Sequence, residues 1–181
     1  MKAEDADTHY DLGIAYKEMG LLDDAVHEFE TALGGNDRRK EVDCLTMIGL
    51  CRMQKGEGAE AVKAFRRALG SDHLTKDAAK AIHYDLAAAY EAAGEQEAAL
   101  YYFQRVAKAD PAFRDAGKRA AALGGGPGRP PAEDVRAAQA RQAARPPAAP
   151  RPAPAPPSPP PTAARPIPPP AGAPKKNIGY L

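Results

Sequence analysis

Residues 6–34 read ADTHYDLGIAYKEMGLLDDAVHEFETALG, and the same arrangement returns at 42–70 as VDCLTMIGLCRMQKGEGAEAVKAFRRALG and at 80–108 as KAIHYDLAAAYEAAGEQEAALYYFQRVAK. The three segments align without internal gaps. In the first, Leu12-Gly13 is followed by Tyr16, Gly20, Ala25, Phe29 and Ala32. The second places Ile48-Gly49, Arg52, Gly56, Ala61, Phe65 and Ala68 at the same offsets, and the third Leu86-Ala87, Tyr90, Gly94, Ala99, Phe103 and Val106. Unit starts at 6, 42 and 80 give periods of 36 and 38 residues. A repeat of this length is one supersecondary unit that buries its apolar face only by stacking on its neighbours.

Within each unit apolar residues recur three and four positions apart, the spacing of an amphipathic helix. No segment alternates with a period of two, so no sheet is expected. Gly20, Gly56 and Gly94 divide each unit in two, closing one helix and allowing the left-handed turn before the next. The small residues Gly13, Gly49 and Ala87 are expected to meet Ala25, Ala61 and Ala99 of the second helix and let the two backbones approach. Phe29, Phe65 and Phe103 then fill the space between units.

These offsets resemble the tetratricopeptide repeat family, whose unit is a helix-turn-helix of about 34 residues. The likeness covers residues 6 to 111, with Pro111 at the family's terminal proline position. Departures are local: His9, Leu45 and His83 stand where the family carries its first aromatic, Arg52 replaces a tyrosine, and the joints are two and four residues longer. The resemblance implies an all-α, right-handed superhelical stack of three repeats (about 6–39, 42–75 and 80–111). A capping helix at about 112–123 completes a domain spanning 1–124. Phe113, Ala116, Ala120 and Leu123 fall on one face of that last helix, and Gly124-Gly125-Gly126-Pro127 stops it. No comparable cap covers the first repeat, which suggests either the end of a longer array or pairing with a second copy.

Beyond residue 124 the composition changes. Of 19 prolines, 18 lie between Pro127 and Pro174. Too little apolar surface remains there to offset the entropy of ordering the chain, so residues 125–174 are expected to be a disordered Ala/Pro/Arg-rich linker. Residues 132–145 have acids near their start and arginines at their end, which suits a short helix, though one marginal by itself. The final residues 175–181 combine Lys175 and Lys176 with Ile178, Tyr180 and Leu181, the make-up of a short linear motif. Charge divides along the same line. Up to Asp134 there are 24 acidic residues against 18 basic ones, a net charge of −6; after it come seven basic residues and no acid. A basic tail folding back on its own acidic domain is therefore expected to compete with partners.

The acidic repeat region argues against nucleic-acid binding. No apolar run is long enough to cross a bilayer, and the start is charged, so no membrane insertion is expected. Cys44 and Cys51, two helical turns apart, are too distant for a disulfide, and a cytoplasmic setting follows. His9, His27, His73 and His83 are scattered, His9 and His83 being repeat equivalents. No metal-ligand spacing, phosphate loop or nucleophile elbow is present. The expectation is a non-enzymatic chain without cofactor or metal.

By the family's geometry, the first helices line a concave groove with the second, fifth, ninth and twelfth positions of each unit. Those are Asp7, Tyr10, Ile14 and Lys17; Asp43, Thr46, Leu50 and Met53; Ala81, Tyr84, Ala88 and Glu91. Tyr10, Ile14, Leu50, Met53 and Tyr84 make an apolar and aromatic strip of the kind favoured at protein contacts, with Asp7, Asp43 and Glu91 at its edges and Lys17, Thr46 and Ala88 also lining the groove. Ile14, Leu50 and Ala88 stand where related co-chaperones carry the residues of a carboxylate clamp, so selective binding of a free Glu-Glu-Val-Asp terminus is not expected. The function implied is a protein-interaction adaptor with a partner in the groove. The alternative is a self-associating assembly piece of a larger array, meeting its neighbour through the uncapped N-terminal end. The wording of the repeats also resembles segments of long bacterial proteins of myxobacterial type, some of which serve cell polarity, type IV pili or gliding motility; the resemblance implies a bacterial cytosol and specifies no pathway.

Overall fold

The computed structural model describes residues 3–35, 40–124 and 126–143. The rest of the expected linker and the terminal motif at 175–181 lie outside the described residues. Eight helices and no strand are present among those described: α1 (Ala3–Glu18), α2 (Leu22–Leu33), α3 (Glu41–Gln54), α4 (Gly58–Leu69), α5 (Lys76–Ala92), α6 (Gln96–Ala109), α7 (Ala116–Leu123) and α8 (Ala132–Ala143). Each helix from α1 to α7 packs on the next, and α3 also meets α5, as the first helices of adjacent units should.

The turn inside each unit is the same three times. Gly20, Gly56 and Gly94 have φ of +78°, +78° and +83°. After each glycine the next amide donates back across the turn, Leu21 to the Tyr16 carbonyl (2.9 Å), Glu57 to Arg52 (2.9 Å) and Glu95 to Tyr90 (2.8 Å). This six-to-one bond with a left-handed residue is the Schellman C-cap, and a side chain there would carry the steric cost of positive φ. A Cβ at any of the three would touch nothing within 4 Å, so backbone conformation alone demands glycine.

Phe29, Phe65 and Phe103 are fully buried, as are Ala25, Ala61 and Ala99. The reason for the first-helix glycine differs from the one expected. A Cβ on Gly13 would lie 2.7 Å from the Phe29 ring and one on Gly49 would lie 2.5 Å from that of Phe65. Glycine here makes room for the phenylalanine of its own unit rather than for the opposing alanine.

Two expected boundaries move. The capping helix begins at Ala116, not 112, because Pro111 follows an extended Asp110 and that carboxylate holds the Ala112 amide (3.2 Å) in a turn. Ala116 and Ala120 are buried, and Phe113 and Leu123 pack against the core as their spacing required. The packed part also does not end at 124, since α8 (Ala132–Ala143) lies against the second and third units. The linker expected from 125 thus loses its first part to the domain.

Candidate protein-docking surfaces

The groove positions are all on α1, α3 and α5. Tyr10 and Ile14 pack partly buried on the cluster around Phe29, Cys44 and Ile48. Leu50, Met53, Tyr84 and Ala88 do so on the cluster around Phe65, Leu86 and Phe103. None of these six is fully buried or fully exposed. Lys17 and Thr46 are half-buried too, the Thr46 hydroxyl donating to the Val42 carbonyl of its own helix at 2.7 Å.

The polar edge is already engaged. Lys40 pairs with Asp7 at 2.7 Å and its ammonium sits 4.7 Å from the Tyr10 ring centre. Burial, with Asp43 second, pushes the Tyr10 hydroxyl above its usual pKa. The third unit repeats this device with the cap: the Arg114 guanidinium lies 4.7 Å from the Tyr84 ring centre and bonds Asp85 at 2.8 Å. Arg114 adopts φ +47°, an uncommon conformation for a non-glycine residue that these two contacts offset. Tyr84 donates to Asp115, and Arg119 pairs with Glu91. So Tyr84 and Glu91 serve the capping helix, and the part of the predicted strip clear of it runs over α1 and α3.

The two cysteines are buried and unpaired in any disulfide. Burial, then Asp43, pushes the Cys44 thiol up to about 11, which keeps it protonated and unreactive at neutral pH. Among the described residues no three His, Cys, Asp or Glu side chains are grouped to hold a metal ion. No helix there is long and apolar enough to cross a membrane.

Sequence reasoning missed a polar cluster on the opposite, second-helix side. Arg66 of α4 donates to the Tyr90 hydroxyl at 3.0 Å and reaches Asp134 at 2.7 Å and Glu133 at 3.3 Å. Tyr102 of α6 donates to Asp134, stacks on Tyr90 with ring centres 5.7 Å apart, and stacks on His83 at 5.7 Å. Burial first, then the Asp134 hydrogen bond, pushes the Tyr102 hydroxyl far above its usual pKa. The available signal was Tyr102 itself, which occupies a position where the other units carry Glu28 and Ala64.

Paired antiparallel helices in three stacked units, with a seventh helix over the last, define a helical-repeat binding scaffold. The tetratricopeptide repeat model matches residues 10–74 and 46–112, more than half of the chain, and the chain belongs to that family. Among solved structures, the crystal structure of MamA is similar with a TM-score of 0.56 and 20% identity. The match covers 65% of this chain and 66% of that one, a little under two thirds of its length, and at this identity the likeness is one of fold. The search of curated proteins gave no match.

Proposed function

We propose that the chain is a non-enzymatic adaptor that binds a partner peptide or protein across the first-helix face. The observation that carries this reading is the strip of half-buried Tyr10, Ile14, Leu50 and Met53. Each rests on the core yet keeps surface available, which is how aromatic and methionine anchors sit before a contact forms. Lys17 and Thr46 supply polar groups beside the strip, and Tyr84, Ala88 and Glu91 extend it under the cap. The tail motif of Lys175, Lys176, Ile178, Tyr180 and Leu181 offers a second attachment point. A flexible tether between the two sites raises the effective concentration of whatever binds both. The basic tail also competes for the acidic domain at low salt. The setting we infer is the bacterial cytoplasm, in cell polarity, type IV pilus function or gliding motility.

The test is quantitative. Once a partner is captured, Tyr10→Ala combined with Leu50→Ala should weaken it at least tenfold while leaving the helical circular dichroism intact. Undiminished affinity in that double variant would remove the groove from the proposal.

A second reading, self-association through α1, has its own observation. Leu12 is 38% exposed and Met19 is 62% exposed. Ile48 and Leu86, the repeat equivalents of Leu12, are buried beneath the preceding unit. Light scattering across a concentration series, with Leu12→Glu as control, tests it: a strict monomer in both chains sinks this reading.

A further inference from the structure

The cleft between α4 and α6 carries a polar cluster that the repeat fold does not require. The equivalent positions one unit earlier, between α2 and α4, show this. Arg66 corresponds to Glu30, Tyr90 to Arg52 and Tyr102 to Ala64. That earlier cleft is a cavity of about 250 Å³ lined by those three residues with Leu45, Ile48 and Arg67. The helices stack in the same way around both. The arginine and the two tyrosine hydroxyls are therefore additions to the scaffold, and all of them converge on the first turn of α8.

α8 is held there by almost nothing else. Its one aliphatic side chain larger than alanine is Val135, which is 39% exposed. From Ala132 to Ala140 Asp134 is half-buried and the other residues are exposed. Partly exposed ion pairs contribute little net stability, and an element with few apolar contacts belongs to the weakly held end of a structure. The strap leading to α8 is fastened separately. The Gln104 side chain donates to the Gly126 carbonyl at 2.7 Å and accepts from the Gly128 amide at 3.0 Å. A Cβ on Gly128 would lie 2.2 Å from the Tyr101 backbone nitrogen, so only glycine lets the strap lie this close to α6. Release of α8 therefore need not release its tether.

We propose that the α4–α6 cleft is a docking site for a helix whose first turn carries two adjacent carboxylates, and that α8 fills it in cis until such a partner helix displaces it. The chemistry selects that occupant. The planar Arg66 fork takes one carboxylate on each of two nitrogens while its third bonds Tyr90. Tyr102 supplies a second donor to the inner carboxylate. Carboxylates at a helix start are further stabilised by the helix dipole, so an acidic first turn favours the helical form that the site holds. This site is on the face away from the groove, and its test does not depend on the groove reading.

The probe is a fluorescent peptide of residues 126–145, titrated by anisotropy against the full chain. Glu133→Gln with Asp134→Asn in the full chain weakens its own α8 and should bind the peptide at least tenfold tighter than the unmodified chain does. Adding Arg66→Ala should remove that binding. A peptide carrying the same two neutralised carboxylates should bind neither chain, although it is more basic, which separates docking from general attraction to an acidic surface. Equal binding to both chains, binding that survives Arg66→Ala, or no binding to the weakened chain overturns the proposal, provided that circular dichroism shows the repeats intact.

Discussion

Between α2 and α4 the cleft presents Leu45, Arg52 and Ala64, whereas between α4 and α6 the same positions present His83, Tyr90 and Tyr102 under a bound helix. The facing pair at the fourth and twenty-third positions of each unit follows the difference through the chain. It is His9 with Glu28 at 2.6 Å in the first unit, Leu45 with Ala64 in the second and the His83–Tyr102 stack in the third. One backbone arrangement accepts a hydrogen-bonded, an aliphatic and an aromatic pair. The fold thus rests on the Gly/Ala/Phe positions that all units share, while the outer pair is free to specialise. The third unit has used that freedom to hold α8.

The strongest way to break this contrast is to return Tyr102 to the residue of the second unit. Tyr102 is buried and touches His83, Tyr90 and Tyr101 with its ring and Asp134 with its hydroxyl. Tyr102→Ala should cost about 3–5 kcal/mol, the usual loss for truncating a buried aromatic. Tyr102→Phe removes only the hydroxyl bond and should cost about 1 kcal/mol. Chemical denaturation gives both numbers, and hydrogen exchange at residues 132–143 should rise in both variants. If Tyr102→Phe matched Tyr102→Ala, the hydroxyl rather than the ring would be the anchor. If exchange at α8 did not change, the cleft would not be what holds it.

A middle-sized effect separates the shared positions from the specialised ones. Gly49 has no room for a methyl group beneath the Phe65 ring, yet the third unit carries Ala87 in the same place, fully buried. Gly49→Ala adds a methyl to a filled core, a strain of about 1–3 kcal/mol, against a helix-propensity gain of up to about 1 kcal/mol. The expected outcome is a net loss of roughly 1 kcal/mol, the difference between those terms. A gain in stability would show that the Phe65 ring gives way to the methyl group.

How much of this could be read from the chain alone follows from the range of each interaction. The repeat offsets, the burial of Phe29, Phe65 and Phe103 and the turn glycines are local or periodic, and spacing reveals them. The role of Gly13 and Gly49 was legible as smallness but not as room for a ring, because spacing names a facing position without naming the atoms that fill it. The short helix at 132–145 was expected, but its docking on the repeats escaped because that hold is long-range and polar. Arg66 and Asp134 are far apart in sequence, and a segment with only Val135 as an apolar handle carries no amphipathic signal. Among the groove residues, the part that Tyr84 and Glu91 play for Arg119 and Asp115 was hidden for the same reason.

The smallest effect isolates the third unit's histidine. Burial, and then the nearby Arg105, lowers the His83 pKa below its ordinary value of 6.5; a backbone contact at Ala79 and the charge of Asp134 oppose the shift only in part. A base whose folded pKa is depressed takes up its proton more readily when unfolded. Its contribution to stability is therefore complete above about pH 6.5 and is lost as pH falls below that value. His83→Leu places in the third unit the leucine that the second unit carries as buried Leu45. The substitution changes the stack on Tyr102, so absolute stabilities are not the comparison to make. The slope is: between pH 7 and pH 5 the unmodified chain should lose stability more steeply than His83→Leu. Carboxylates contribute equally to both chains and cancel in that difference. Parallel slopes would mean that His83 accepts its proton in the folded protein as easily as in the unfolded chain, and that the ring on Tyr102 is not kept neutral by its burial.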